Sequence, residues 1–198
     1  MASLRNTTDP DPETVVLDAA REHLLAVGWK RATLTDIART AGVSRMTIYR
    51  RWPDMRSLVG DLMAREWVRV GEEAGVRAEG EGSVAERIGR AMVAAAQGLR
   101  SNDVFRRIME VDPEVLLTYL VDRKGRSQER LLDLLEPALA AGQRDGAVRA
   151  GIPPRRLAAS LLLATHGFAI SAGTMADVAT EAELAEDLRS LLTGYLAP

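Results

Sequence analysis

Three arginines, a threonine and a tyrosine fall within one short stretch of the chain, AGVSRMTIYRRWPD, residues 41–54. Arginine can bind guanine through two parallel hydrogen bonds, and threonine and tyrosine hydroxyl groups can hydrogen-bond to phosphate oxygens. A methionine side chain or a threonine methyl group can also contact the methyl group of thymine. Because no acidic residue precedes Asp54 in this stretch, these residue types predict a surface that binds DNA.

A helical projection of the same stretch separates an inner face from an outer face. With Ile48 placed toward the core, Met46 and Arg50 point outward, and Thr47 and Tyr49 lie on the two shoulders. The outer face therefore offers cationic, hydroxyl and apolar groups to a major groove. The candidate contacts on this helix are Ser44, Arg45, Met46, Thr47, Tyr49, Arg50 and Arg51.

The elements that must position this helix are indicated by capping and turn residues. Thr33 is predicted to cap a short helix two, with Asp36 three residues later as its capping partner. Gly42 supplies a tight turn, and Ser44 caps helix three, which Pro53 ends. This is a helix-turn-helix pattern. Arginines alone would equally suit a solvated helix face, but the caps, the turn and the local basic excess favour DNA binding.

Charge is unevenly distributed along the chain. The 198 residues carry a net charge of −2, yet residues 1–56 contain nine basic and seven acidic side chains, which leaves the remainder at −4. A basic segment on an acidic body indicates that only the N-terminal part binds a polyanion. The chain has no cysteine and only two histidines, far apart, so neither a metal site nor a cofactor is predicted.

The whole chain has the composition of helices, because Ala, Leu, Arg and Glu dominate and no segment alternates as a strand does. We predict an all-α fold with a disordered N-terminal arm, a helix-turn-helix domain and a larger helical domain. These parts cover residues 1–12, 13–54 and 55–198. Helices are predicted over residues 13–27, 55–73, 84–100, 104–111, 113–121, 127–141, 154–172 and 181–196, besides helices two and three.

Membrane association is not predicted from the sequence. The N-terminus lacks an apolar signal region, and no apolar run is expected to reach membrane-spanning length. The longest candidate, residues 157–170, is interrupted by Ser160, Thr165, His166 and Gly167. The sequence therefore predicts a cytoplasmic protein.

Two segments, VVLDAAREHLLAVGW and TLTDIARTAGVSRMTIYRRWPDMRSLV, resemble the DNA-binding domain of the TetR family of transcriptional regulators over residues 13–60. The shared pattern is IA, then AGVS, then threonine–hydrophobic–tyrosine, then an aromatic–proline step. The resemblance implies a homodimeric repressor that binds a palindromic operator on double-stranded DNA. It also implies release from DNA when a small effector enters the C-terminal domain and moves helix four.

The resemblance assigns roles to individual residues. Thr35 resembles the family's phosphate contact on helix two, and Tyr49 resembles its phosphate-binding tyrosine. Arg45, Met46 and Thr47 occupy the start of helix three, which contacts the groove.

One position departs from the family pattern. A lysine that binds phosphate usually begins helix four, whereas this chain has Met55 followed by Arg56. Either Arg56 takes over this contact or the phosphate contact is weaker. With Thr33 and Thr35 of helix two, Arg56 completes the predicted DNA-binding set.

The C-terminal body offers candidates for dimerisation and for effector binding. Its last two helices resemble the pair that forms a four-helix bundle across a two-fold axis in the family. The predicted dimer contacts are Leu161, Leu162, Thr165, Leu188, Leu191, Leu192 and Tyr195. Large, mostly apolar side chains that suit a largely apolar effector are Met63, Trp67, Met92, Phe105, Met109, Tyr119, His166 and Phe168. Core packing remains the alternative for each of these eight.

Three other functions stay open at this level. One is a helical ligand- or partner-binding protein whose helix-turn-helix no longer binds DNA, and another is a TetR-like activator. The third is an enzyme in the C-terminal body. The chain contains no phosphate-binding glycine loop, so we predict that it is not an enzyme.

Overall fold

The computed structural model describes residues 11–111, 113–114 and 126–198, and within these ranges every regular element is a helix. The helices are α1 Pro12–Val27, α2 Leu34–Thr40, α3 Arg45–Arg51, α4 Met55–Arg77, α5 Val84–Ser101, α6 Asp103–Val111, α7 Arg126–Arg144, α8 Pro154–Ser171 and α9 Glu181–Leu196. A 3-10 turn, Ala172–Met175, follows α8 directly. The predicted all-α fold is confirmed.

Most predicted helix ends agree with the structure because capping side chains define them. Thr33 and Ser44 each accept a hydrogen bond from a backbone amide three residues later, both at 3.1 Å. Helix α1 begins one residue earlier than predicted, since Asp11 caps it. Helix α4 continues four residues beyond the predicted end, because Gly75 lies within it without breaking it. Residues 1–10 of the predicted arm, and the predicted helix over 113–121 beyond its first positions, lie outside the described residues.

Helices α1, α2 and α3 pack around one apolar centre. Ile37 and Ala38 of α2, Ile48 of α3 and Trp52 after it are each at most 2% exposed. Gly42 has φ +66°, a left-handed conformation that glycine adopts without strain, and it allows α3 to cross α2. The apolar inner face of α3 is thereby buried, and its opposite face is left to solvent.

Helix α4 connects this three-helix unit to the rest of the chain. It packs against α1, α5, α6 and α7, and its buried face includes Leu58, Leu62 and Val70. Helix α7 comes closest at Gly71, where an added Cβ would lie 2.8 Å from Leu131 Cδ2. A larger residue at Gly71 would therefore require the Leu131 side chain to shift.

A buried carboxylate lies where α1, α4 and the α5–α6 junction meet. Glu66 is 3% exposed, and it accepts hydrogen bonds from Asn102 Nδ2 and Arg69 Nη2, each at 3.1 Å. Nitrogen atoms of Arg21 and Arg65 lie 3.9 and 3.5 Å from its other oxygen. Burial alone would raise the pKa of Glu66, but these donors and charges hold its pKa below the ordinary value. This charged network links α1 to the body of the protein.

Helix α8 is the most apolar segment described. Together with the 3-10 turn it forms the segment Pro154–Met175, which is long and apolar enough, by length and composition, to cross a membrane. This finding corrects the expectation that no run reaches that length, because single polar residues lower the mean hydropathy too little to exclude it. A core helix passes the same test, and α8 packs against α5, α7 and α9 through residues such as Leu157 and Leu161, both 0% exposed.

Candidate nucleic-acid interface and ligand cavity

The exposed side of α3 carries four side chains, which we call the α3 outer face: Arg45, Met46, Tyr49 and Arg50. Met46 is 79% exposed and Tyr49 is 47% exposed. Within the described part of the chain, neither Arg45 nor Arg50 forms an ion pair or hydrogen bond through its side chain. Two available guanidinium groups beside a thioether and a phenol suit guanine edges, thymine methyl groups and phosphate oxygens.

Arg51, a predicted DNA contact, points away from this face. Its guanidinium binds both carboxylate oxygens of Glu13 on α1, at 3.1 and 3.2 Å, and lies 3.5 Å from Asp61 on α4. It also lies over the ring of Trp52, 5.3 Å from the centroid. Hydrogen bonding to Glu13 raises the pKa of Arg51. These contacts join α3 to α1 and α4, and a DNA contact by Arg51, whose side chain is 44% exposed, stays a prediction.

Three of the predicted DNA-binding hydroxyl groups are engaged at helix starts. The Thr33 hydroxyl donates to Asp36 Oδ2 at 2.6 Å. The Ser44 and Thr47 hydroxyl groups share a hydrogen bond of 2.8 Å, and Ser44 also caps α3. These bonds fix the N-terminal ends of α2 and α3, so the three side chains serve first to orient the helices.

The remaining predicted contacts, Thr35 and Arg56, lie at the starts of two other helices. Thr35 is half-buried in the first turn of α2, and Arg56 is exposed in the first turn of α4. Met55 packs partly buried against the hydrophobic core. The departure from the family pattern at Met55 thus has a packing role, and the exposed cation at this helix start is Arg56.

A cavity of about 500 Å³ lies between α4, α5, α7 and α8. Its walls are mainly apolar, and its charged lining residues are Glu72, Glu79 and Arg87. Ala91 and Ala95 of α5 face it from positions one helical turn apart. Alanine side chains do not fill the space between helices here, so a cavity remains where larger residues would have formed core.

Three of the eight predicted effector-binding residues line this cavity. They are Trp67 of α4, Met92 of α5 and His166 of α8. The Trp67 ring meets the ring of Phe105 on α6 edge to face, with centroids 5.7 Å apart. Trp67 thus joins the cavity wall to the helix that packs on α1.

The other five predicted effector residues lie elsewhere. Met63 and Phe105 belong to the core, with 2% and 5% exposure, and Met109 packs against it partly buried. Phe168 borders a small crevice between α5, α8 and α9. Tyr119 lies outside the described residues. The presence of large apolar side chains did not distinguish the cavity lining from the core, because the same residue types fill both.

Sequence reasoning missed most of the aliphatic lining, including Val70, Ile88 and Leu135. A usable signal was present in the segment AMVAAAQG, residues 91–98. Several small residues in an otherwise apolar helix indicate either a close helix contact or unfilled space. The tertiary structure shows that both occur, since Gly98 approaches Val70 while Ala91 and Ala95 face the cavity.

His166 lines the cavity with a partly buried imidazole ring. Burial lowers the pKa of His166, so the ring is neutral at neutral pH. Its neighbour Thr165 is 4% exposed and already donates its hydroxyl hydrogen to the Leu161 carbonyl oxygen at 2.8 Å. The two residues therefore differ in their capacity to bind a ligand.

The predicted dimer contacts separate into several groups. Leu161, Leu188 and Leu192 lie in the protomer's own core at 0–3% exposure, so a partner cannot reach them, and this corrects their assignment. Leu162 and Thr165 line the cavity instead. The reason is that α8 is apolar on nearly every side, and the pattern alone does not separate its inner and outer faces.

The outward side of the last two helices is formed by residues that we call the α8–α9 outer face: Leu163, Gly167, Leu191 and Gly194. Leu163 is 73% exposed and Leu191 is 63% exposed. Tyr195, also a predicted contact, is half-buried, and its hydroxyl donates to Ser160 Oγ at 3.3 Å. Each of the two helices thus carries a large exposed leucine that no element of the described chain covers.

Comparison with known proteins agrees with this geometry. Residues 16–62 match the model of the family described as bacterial regulatory proteins, tetR family. The chain is 36% identical over 181 residues to an uncharacterized HTH-type transcriptional regulator of Mycobacterium bovis. The aligned region covers 91% of this chain and 92% of that protein.

Solved structures of similar fold cover nearly the whole chain. The transcriptional repressor QsdR of R. erythropolis superposes with a TM-score of 0.71 at 21% identity, over 94% of this chain and 96% of that one. The regulator FadR of Bacillus subtilis, solved in complex with stearoyl-CoA, gives a TM-score of 0.60 at 15% identity, over 92% of this chain and 98% of that one.

Proposed function

The chain belongs to the TetR family and is a DNA-binding transcriptional regulator, and from this premise we propose that it is a repressor released by a small apolar molecule. We propose further that it binds a palindromic operator as a homodimer in the cytoplasm. In this proposal residues 13–54 form the DNA-binding domain and residues 55–198 the effector-binding and dimerisation domain.

The observation that carries the proposal is the α3 outer face. Arg45 and Arg50 are exposed and have no ion pair among the described residues, while the neighbouring Arg51 is held by Glu13. The Ser44 cap and the buried Ile48 fix α3 so that these two arginines face solvent. Such a fixed orientation favours a binding surface over a solvated helix face. A recognition helix exposed in this way can place its N-terminal residues in the major groove.

The cavity supports the ligand-responsive part of the proposal. It is bounded by α4, which also connects to the DNA-binding helices, so a molecule that fills it contacts the connecting helix directly. FadR of Bacillus subtilis, with a similar fold, was solved with stearoyl-CoA, and the apolar stearoyl chain of that ligand supports an effector with a hydrocarbon body here. Movement of α4 would change the separation of two α3 helices in a dimer and weaken operator binding.

The dimer is supported by the α8–α9 outer face, because two exposed leucines on adjacent helices cost free energy unless they are covered. One helix-turn-helix contacts only a half-site, and a two-fold dimer contacts two half-sites about one helical turn apart. These considerations together favour a palindromic operator.

Selection of bound sequences from a random DNA duplex library, using the purified full chain, tests the proposal. We expect an enriched palindrome, with binding that weakens steeply as salt increases because phosphate contacts release counterions. Enrichment of a single half-site would contradict the dimer. No enrichment at low salt would contradict DNA binding by the free protein and favour a ligand- or partner-binding role.

A further inference from the structure

The cavity has an uneven distribution of polar groups, and this limits what it can hold. Most of its lining is aliphatic or aromatic, including Val70, Met92 and Leu131. Glu72 and Glu79 are exposed side chains at its edge. A charged group carried into the apolar part would lose hydration without a partner of opposite charge.

Arg87 is the cavity's one cationic lining residue in the described chain, and one nitrogen of its guanidinium already has a hydrogen-bond partner. Its Nη1 donates to the Gly82 carbonyl oxygen at 2.7 Å, in the loop before α5. With Glu72 and Glu79 also in the lining, the charges of this region do not favour an anionic head group. A carboxylate ligand would therefore meet two acidic side chains and only one cation in this lining.

His166 is an uncharged polar lining residue with unused hydrogen-bonding capacity. In the described structure no side chain or backbone group hydrogen-bonds to its ring, whereas the Thr165 hydroxyl hydrogen is used by the Leu161 carbonyl. A neutral imidazole has one donor and one acceptor nitrogen. Because the ring is only partly buried, a ligand in the cavity can reach it, and a group that hydrogen-bonds to it adds to the binding free energy.

The cavity is also long. Its lining extends along α4 from Trp67 to Val76, which at 1.5 Å per residue is ~14 Å. Along α5 the lining extends from Val84 to Leu99, which is ~22 Å. A chain-like molecule uses this extent better than a compact one.

We propose that the effector is an uncharged amphiphile with an extended hydrocarbon body and one hydroxyl or carbonyl group that hydrogen-bonds to His166. This inference rests on the proposed ligand-responsive function and names the ligand class of the same cavity. His166 is then the specificity-determining residue, and the aliphatic walls supply most of the affinity.

Isothermal titration calorimetry of the full chain with n-dodecanol, dodecanoate and dodecyltrimethylammonium, each below its aggregation limit, tests the ligand class. Dodecanol is expected to bind at least about tenfold more tightly than either ion, because only it enters without burying a charge. In the series from octanol to dodecanol, affinity should increase about fourfold for each methylene group. Equal or tighter binding of dodecanoate or of the ammonium would overturn the proposal, as would affinity that does not depend on chain length.

Variants at the two histidines test the role of His166. His166→Leu should weaken dodecanol binding about three- to tenfold, the effect of one uncharged hydrogen bond, while His166→Gln, which keeps a donor and an acceptor, should restore much of it. His23→Gln is the matched control, since His23 shares a hydrogen bond with Thr40 far from the cavity lining. Unchanged binding in His166→Leu would overturn the assignment.

Operator release is measured separately on the duplex selected from the library. If dodecanol binds but does not release the duplex, the ligand class stands and ligand-controlled repression fails. If no alcohol binds while the duplex is bound, the ligand class fails and the DNA-binding function stands.

Discussion

At the scale of the residue, two consecutive arginines on α3 have different surroundings. Arg50 lies on the α3 outer face, and Arg51 binds Glu13 and lies near Asp61. Their side chains diverge because one residue on a helix turns the side-chain direction by about 100°. The same side chain is therefore proposed to bind DNA at one position and contacts neighbouring helices at the next.

The first prediction compares Arg50→Ala with Arg51→Ala. Arg50→Ala is expected to weaken operator binding by about 1–3 kcal/mol and to relax preference at one base position, with unfolding unchanged. Arg51→Ala is expected to lower the free energy of unfolding by about 1 kcal/mol, because the ion pair is partly exposed. Fluorescence anisotropy with labelled operator and urea denaturation measure the two effects. Equal losses of DNA affinity in both variants would return Arg51 to the DNA-binding surface.

At the scale of the element, the position of α1 relative to α4 depends on the Glu66 network. Trp67 is the next residue on α4 and lines the cavity, while its ring contacts Phe105 of α6. The Phe105 amide donates to Asn102 Oδ1 at 3.0 Å, and Asn102 in turn donates to Glu66. The cavity wall and the helix that supports DNA binding are thus connected by contiguous packing and hydrogen bonds.

The second prediction concerns the pH dependence of stability. The folded-state pKa of Glu66 is lowered, so its contribution is present above the unfolded-state pKa of about 4.3 and is lost as pH falls through the folded-state pKa. Glu66→Gln should therefore reduce the free energy of unfolding by about 2 kcal/mol at neutral pH and by much less near pH ~3. Urea denaturation at both pH values measures the difference.

Glu73→Gln is the control for this experiment. Glu73 also accepts hydrogen bonds from arginines, but it is an exposed partner in surface ion pairs, so we expect only a small loss at neutral pH. If Glu66→Gln and Glu73→Gln behave alike, the buried network is not a significant source of stability.

At the scale of the whole molecule, two surfaces remain uncovered in the described protomer. The α3 outer face is cationic, and the α8–α9 outer face is apolar with small residues that allow close approach. A dimer through the second surface would present two copies of the first to one DNA duplex.

The third prediction tests this arrangement by the double substitution Leu163→Glu and Leu191→Glu. Both side chains are exposed in the protomer, so the fold should persist, while four charges placed in a two-fold interface should prevent association. Sedimentation velocity is expected to show a monomer for this variant and a dimer for the unmodified chain. Val76→Glu, an exposed apolar residue on α4 at the cavity edge, is the control and should remain dimeric. A dimeric double variant would place the interface elsewhere.

Local sequence determined the helices of this protein and the orientation of α3. Capping residues such as Thr33 and Ser44, the turn at Gly42 and helical periodicity define the helices and the direction of the α3 outer face. Each of these features depends on residues that are close together in the sequence, so each can be predicted from the sequence alone. The family resemblance over residues 13–60 also rests on these local patterns, and the family model matches residues 16–62.

Only the tertiary structure decided which apolar and charged residues meet. Leu161 and Leu163 are alike in sequence, yet one is buried at 0% and the other is 73% exposed. The cavity likewise arises where small side chains of α5 face α4, α7 and α8, and the role of Arg51 depends on Glu13, 38 residues away. Burial and ion pairing depend on contacts between distant segments, and a pattern within one helix does not specify its neighbours.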